Sequence, residues 1–238
     1  MAEKIRVTIW NENVHEKRNP EVAAIYPTGI HGKIAEMMAD DDRFEITAVS
    51  MDMPEQGLPQ ELLDRTDVLV WWGHCAHAQL EDAIAERVRS RVLAGMGFVA
   101  LHASKSAKPF KLLMGTTGSL KYRVDGERER IWCVDPSHPI ADGLPEYIEL
   151  PQEEMYGEFV DLPAPDELVF ISWFEGGEVF RSGCCYKRGR GRLFYFRPGH
   201  ETYPIFHNPQ IIHVIKNACV WAKPVNGPKP TTGNYAMR

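Results

Sequence analysis

Several features that quickly assign a protein are missing or scarce in this chain of 238 residues. Cysteine is sparse and odd in number, at Cys75, Cys133, Cys184, Cys185 and Cys219, mostly inside apolar runs. Such a set argues against a disulfide framework. Cys184 and Cys185 are adjacent and face opposite sides of any strand, so they form no CxxC redox pair. No apolar run approaches the roughly 20 residues that cross a bilayer. Basic residues are outnumbered, 27 against 33 acids, for a net charge of -6. That balance argues against a nucleic-acid partner. The one basic run, KRGRGR (Lys187 to Arg192), reads as a solvated hairpin turn. The opening MAEKIRVTIW has no basic start, apolar stretch and cleavage site, which predicts a cytoplasmic protein with no membrane partner. HExxH, GxSxG and internal repeats are likewise absent.

What is present is a placement. Four strand-ending segments stop on a histidine or an acid: IWNE (to Glu12), WWGH (to His74), ALH (to His102) and FRPGHE (to Glu201). In an open α/β sheet, ligands bind outside the carboxyl ends of the strands. If these segments are neighbours, Glu12, His74, His102, His200 and Glu201 converge on one pocket.

The first hundred residues alternate strand and helix. IRVTIW, FEITAVS, DVLVWW and GFVALH are apolar, β-branched runs of the kind buried in parallel sheets. Between them, Thr28 is placed to cap a helix with Ile30, Ile34, Met37 and Met38 inward. Leu80, Ile84, Val88 and Val92 stripe a second helix that ends at Gly95. This alternation predicts parallel pairing with right-handed crossovers. Residues 105–166 read as irregular, rich in Pro, Gly and charge. The segments EVFRSGCCYK and RLFYFRP then read as an added antiparallel hairpin on a mostly parallel sheet. Asn208 and Pro209 open a closing helix with Ile211, Ile212, Ile215 and Cys219 inward. One domain over 1–222 and a Pro/Gly-rich tail over 223–238 is the simplest division. The closing helix and tail can also serve a homo-oligomer interface.

Three chemistries fit the candidate pocket. Imidazoles and carboxylates suit a catalytic divalent metal, zinc first, with His74, His102, His200 and Glu12 as candidate ligands, His74 and His200 foremost, and His15, His77 and Glu154 behind them. The same histidines can instead hydrogen-bond a polar ligand without metal. A serine nucleophile at Ser104, served by His200 and Glu201, is disfavoured because Glu201 adjoins His200 in sequence. In EEMYGE, Glu154 and Tyr156 share one face of an extended segment, which suits sugar hydroxyls or acid/base work. Trp71, Trp72, Trp173 and Tyr203 can form a flat sugar-stacking surface or simply belong to the core.

The ordered set VTIWNE, WWGH, ALHAS, DPSHPIADGLP, EEMYGE and PGHETYP resembles the trehalose-utilisation (ThuA-like) family from about Ile5 to Ala222. The resemblance implies a flavodoxin-like, class I glutamine amidotransferase-like α/β sandwich of three layers. It also implies a role in using trehalose-type disaccharides and their keto intermediates. Amidotransferases carry a cysteine at the elbow after the fourth strand, where this chain has His102, so thioester chemistry is not expected. The reading is then a cytoplasmic sugar-catabolism enzyme. His102, Glu154 and Glu12 are its acid/base candidates, and Trp72, Ser104, Tyr156 and Glu201 contact the sugar. No nucleotide cofactor is implied. The rival is a non-catalytic sugar-binding or accessory protein, because fold does not fix function.

Overall fold

Each apolar run of the first hundred residues becomes a strand in the computed structural model, which describes residues 3–228 and residue 233. The strands are β1 (Ile5–Asn11), β2 (Phe44–Ser50), β3 (Val68–Trp72) and β4 (Gly97–Leu101), followed by β5 (Lys121–Cys133), β6 (Tyr147–Gly157), β7 (Glu167–Phe174), β8 (Val179–Arg188) and β9 (Gly191–Phe196). The helices are α1 (His15–Arg18), α2 (Pro20–Ile25), α3 (Gly29–Met38), α4 (Gln60–Arg65), α5 (Asp82–Ala94), α6 (Lys108–Met114) and α7 (Pro209–Ala222).

All nine strands form one sheet in the order β2-β1-β3-β4-β9-β8-β7-β5-β6. The first five positions follow the flavodoxin-like order 2-1-3-4-5, with β9 in fifth place. Their four pairings are parallel. The remaining four are antiparallel. Alternate strand residues divide the core. Val7, Val70, Trp72 and Leu101 pack with α3 and α7 on one face. Leu69, Trp71, Phe98 and Ala100 pack with α4, α5 and α6 on the other.

The expectation of a mostly parallel sheet with one added hairpin is therefore corrected: the sheet is mixed, and its longest strands lie in the antiparallel half. The β8–β9 hairpin exists, but β9 also pairs with β4, so it joins the two halves. Residues 105–166, read as irregular, hold β5 and β6. Their pattern is hidden because these strands are held partly by cross-strand charge. Arg130 sits opposite Glu149 with an ion pair of 2.6 Å, a polar pairing that erases the apolar alternation.

Helix ends largely follow their local chemistry. Asn208 accepts a hydrogen bond from the Gln210 amide at the start of α7. Gly95 ends α5 with φ +129°. Thr28 stands before α3 but makes no side-chain cap bond. No helix among the described residues is long and apolar enough to cross a membrane. The expected tail, apart from 223–228 and 233, lies outside the described residues.

Candidate functional site

The carboxyl ends of β1, β3, β4 and β9 do meet, and β6 joins them. His102 follows β4 directly and adopts φ +53° at the start of a 3-10 turn over His102–Ser106. A non-glycine residue held in that region at a strand-to-turn junction is a strained, projecting position. Gly199 makes the packing possible from the other side. It has φ +136°, and a Cβ there would stand 2.6 Å from the Phe206 ring and 3.3 Å from the His102 Cβ. The rings of His74, His102 and His200 lie 5.3 to 5.5 Å apart, centre to centre.

Two carboxylates close this group. Glu201 Oε2 lies 2.9 Å from His74 Nδ1, and Glu201 Oε1 lies 3.4 Å from His15 Nδ1. Glu154 Oε2 lies 3.1 Å from His102 Nε2. In both short contacts the atoms are close but badly aligned, so all four are left without a well-formed hydrogen bond. Buried polar atoms in natural proteins are rarely left so. The other nitrogen of His102, Nδ1, lies 3.2 Å from the Arg197 carbonyl. A carbonyl only accepts, so Nδ1 carries the proton and Nε2 is left an acceptor without a well-formed partner.

The site's charges follow from burial and from each other. Burial pulls the His102 pKa well below the usual histidine value, and the neighbouring His74 adds to the effect, so His102 is neutral. Burial raises the Glu154 pKa against the pull of His200 and His74. It also works to raise Glu201, but the close approach of His74 and the surrounding histidine charge outweigh it and bring Glu201 down to about 2. His74 responds in kind: burial works to lower it, and Glu201 prevails and raises it. Glu201 is thus an ionised orienter of His74.

Donor atoms of His74, Glu154 and His200 all lie within 4.8 Å of one another, as do those of His15, His74 and Glu201. Two imidazoles and a carboxylate are a donor set that catalytic zinc uses, with one position left for water or substrate. His200 Nδ1 is tied to Thr202 Oγ1 at 2.8 Å, the kind of outer contact that orients a ligating imidazole. The unpartnered Glu154 oxygen and these restrained rings fit a divalent ion.

Other expected residues have different work. Glu12 accepts the amides of Cys75 and Ala76, at 2.7 and 3.0 Å, so it anchors the His74 loop instead of presenting a free acid. The Ser104 hydroxyl donates to the Trp71 carbonyl and accepts from the Gly73 amide, both at 3.1 Å. It braces the ends of β3 and β4, its hydroxyl engaged by backbone on both sides. Trp72 is wholly buried and donates its indole N–H to the Gly199 carbonyl at 2.9 Å. Trp71 stacks on Trp10 at 3.8 Å, also in the core, so neither tryptophan is a sugar platform. Trp173 packs under Arg128, while Tyr203 lies 5.5 Å from the His200 ring. Tyr156 is buried against His102, with ring centres 5.4 Å apart. Burial and nearby Glu12 push the exposed Cys75 thiol up to about 12, which makes it unreactive. His77 is brought down to about 4, chiefly by burial.

The supporting residues are less visible in the sequence. Arg197 is fully buried, ion-paired to Glu129 and Glu153, and donates to the Glu154 carbonyl at 2.7 Å. Glu153 also accepts the amides of Gly199 and His200. Lys105, beside the elbow, sits over the Tyr156 ring with Nζ 5.4 Å from its centre. For Arg197 the only sequence signal is a charge that directly follows the apolar run LFYF.

Comparison with known proteins bears on the family and the fold. A family model described as ThuA, trehalose utilisation, matches residues 6–222. No curated protein matches the chain in sequence. Among solved structures, a ThuA-like protein from Bacteroides uniformis is similar at 16% identity, with 93% of each chain covered and a TM-score of 0.66. A cytoplasmic protein from Salmonella typhimurium is similar at 11% identity, covering 93% of this chain and 100% of the other, with a TM-score of 0.63. A GMP synthase component from Thermoplasma acidophilum is similar at 11% identity, covering 92% of this chain and 97% of the other, with a TM-score of 0.55. At these identities the likeness is one of fold.

Proposed function

This chain belongs to the ThuA, trehalose-utilisation, family, and from that premise we propose that it is a cytoplasmic enzyme acting on a trehalose-type disaccharide or its keto derivative, assisted by a divalent metal. The observation that carries the reading is the convergence of His74, Glu154 and His200, with a buried Glu154 oxygen lacking a well-formed partner. Zinc bound there would polarise a carbonyl or hydroxyl oxygen of the sugar.

The chain's own residues supply the rest. His102 is neutral and presents the Nε2 lone pair, so it is the proton acceptor for a sugar hydroxyl or for a carbon acid beside a keto group. Glu201 keeps His74 oriented, and Glu12 fixes the loop that carries it. Arg197 and Glu153 hold the backbone of Glu154 and His200 in place. Tyr156 closes the floor beneath His102 and excludes water.

Two measurements test this. Protein dialysed from zinc-containing buffer is expected to keep about one metal ion per chain, and a His74→Ala/His200→Ala double variant none. Metal-free wild type would remove the metal from the reading. His102→Ala is expected to lower turnover of trehalose or its keto derivative by roughly a hundredfold or more. Full turnover in that variant would remove the role given to His102. A non-catalytic sugar-binding protein would bind sugar in both backgrounds without turnover.

A further inference from the structure

β5 does something unusual beside the site. Arg123 pairs with Met155 and Glu127 with Glu153, so three residues, Val124–Gly126, bulge opposite Glu154 alone. Bulges of this kind often adjoin active sites. The segment around it is fixed at two points. A Cβ on Gly118 would lie 2.5 Å from the Lys105 carbonyl, beside the elbow. A Cβ on Gly126 would lie 3.1 Å from the Tyr203 hydroxyl, whose ring adjoins His200. Tyr122 lies between those two contacts and directly opposite Tyr156. Residues directly opposite in an antiparallel pair share a face, so Tyr122 stands on the face where Tyr156 meets His102.

The strand is inverted relative to an ordinary half-buried one. Its charged Arg123 is satisfied by Glu127 and Glu178, while Tyr122 is 67% exposed on the site side and Val124 follows it into solvent. An exposed aromatic on the same sheet face as a cluster of polar groups is suited to a ligand that is apolar on one side and hydroxylated on the other. A sugar ring has that form.

We propose that Tyr122 is the stacking platform of an outer sugar subsite, taking the second ring of a disaccharide whose first ring occupies the histidine cluster. The proposal rests on the carbohydrate reading above. A second copy of the chain fits the face less well. Tyr122 and Val124 fall far short of the roughly 800 Å² per partner that a stable interface buries.

Calorimetric titration with trehalose and with glucose tests the assignment on the full chain. Tyr122→Gln is expected to weaken trehalose binding about tenfold while changing glucose binding little, and Tyr122→Trp to retain the trehalose affinity. If wild type binds trehalose and Tyr122→Gln binds it equally well, the platform is wrong and the inner site stands. If wild type binds neither sugar, the carbohydrate reading fails and the platform fails with it. Unchanged affinity with a lower sedimentation coefficient in Tyr122→Gln would make this a self-association face and overturn the proposal.

Discussion

Lys105 shows how closely charge is controlled around the site. Burial brings its pKa from 10.5 down to about 8, against the attraction of Glu154. The folded pKa is therefore below the unfolded one, so between about pH 8 and 10.5 the unfolded chain holds more protons at this position. Stability contributed here rises with pH across that window, and the penalty is at its full size below pH 8. Lys105→Met keeps the stem and removes the charge. It is expected to be more stable than wild type at pH 7, by up to roughly 3 kcal/mol, with the difference vanishing toward pH 10.5. Urea unfolding of both proteins across the range measures this. The difference is the quantity to follow, because buried thiols such as Cys184, raised to about 12, push wild-type stability the other way at high pH. Arg197 has the opposite character. It is enclosed by Glu129 and Glu153, and Glu129 is itself pushed up to about 7 by burial despite the guanidinium. Arg197→Met leaves two buried carboxylates without their cation, so a loss of about 3–5 kcal/mol is expected in the same assay.

Between elements, β4 approaches the end of α7 closely. A Cβ on Gly97 would stand 2.5 Å from the Ala222 carbonyl oxygen and 2.9 Å from the Ala222 Cβ. Gly97→Ala must therefore push the end of α7 from the sheet, at an expected cost of about 1–3 kcal/mol in chemical denaturation. An unchanged midpoint would mean that α7 has room to move. The strands of this half are legible in the sequence because they are short apolar runs, the inner ones buried on both faces, as DVLVWW is. β5 and β6 are not, because KYRVDGERERIWC binds its neighbour through ion pairs and bulges rather than by apolar alternation. The site divides along the same line. His74 and His102 are readable as strand-end residues, since parallel topology alone sends them to one edge, whereas His200 follows a segment that reads as half of an antiparallel hairpin and reaches that edge because β9 also pairs with β4. That Glu154 meets them depends on how the antiparallel half curls, which brings the last strand in the sheet order back against His102 from the fourth. Local sequence carries little trace of such a bend. Glu12 and Ser104 read as free polar groups in the sequence for another reason: their hydrogen-bonding capacity is taken up by nearby backbone, at distances that only the fold supplies.

Across the whole molecule, the candidate metal cluster is a staple between halves built on different principles. His74 follows β3 in the parallel half, Glu154 lies on β6 at the far end of the antiparallel half, and His200 follows β9, the strand shared by both. One hydrophobic cluster also crosses the boundary, from Val7 and Val99 to Ile131 and Ile148. The two halves are therefore expected to unfold together, with tryptophan fluorescence and far-ultraviolet circular dichroism tracing one thermal transition. An ion that binds only when all three donors are assembled binds the folded state alone. At a free zinc concentration a hundred times its Kd, it should add about 2.7 kcal/mol and raise the midpoint of both signals together. His74→Ala removes a donor from the parallel side and Glu154→Gln weakens one on the antiparallel side, so each should abolish most of the zinc-dependent rise. A zinc-induced shift in only one signal would show that the ion binds within one half, contrary to a ligand set drawn from both.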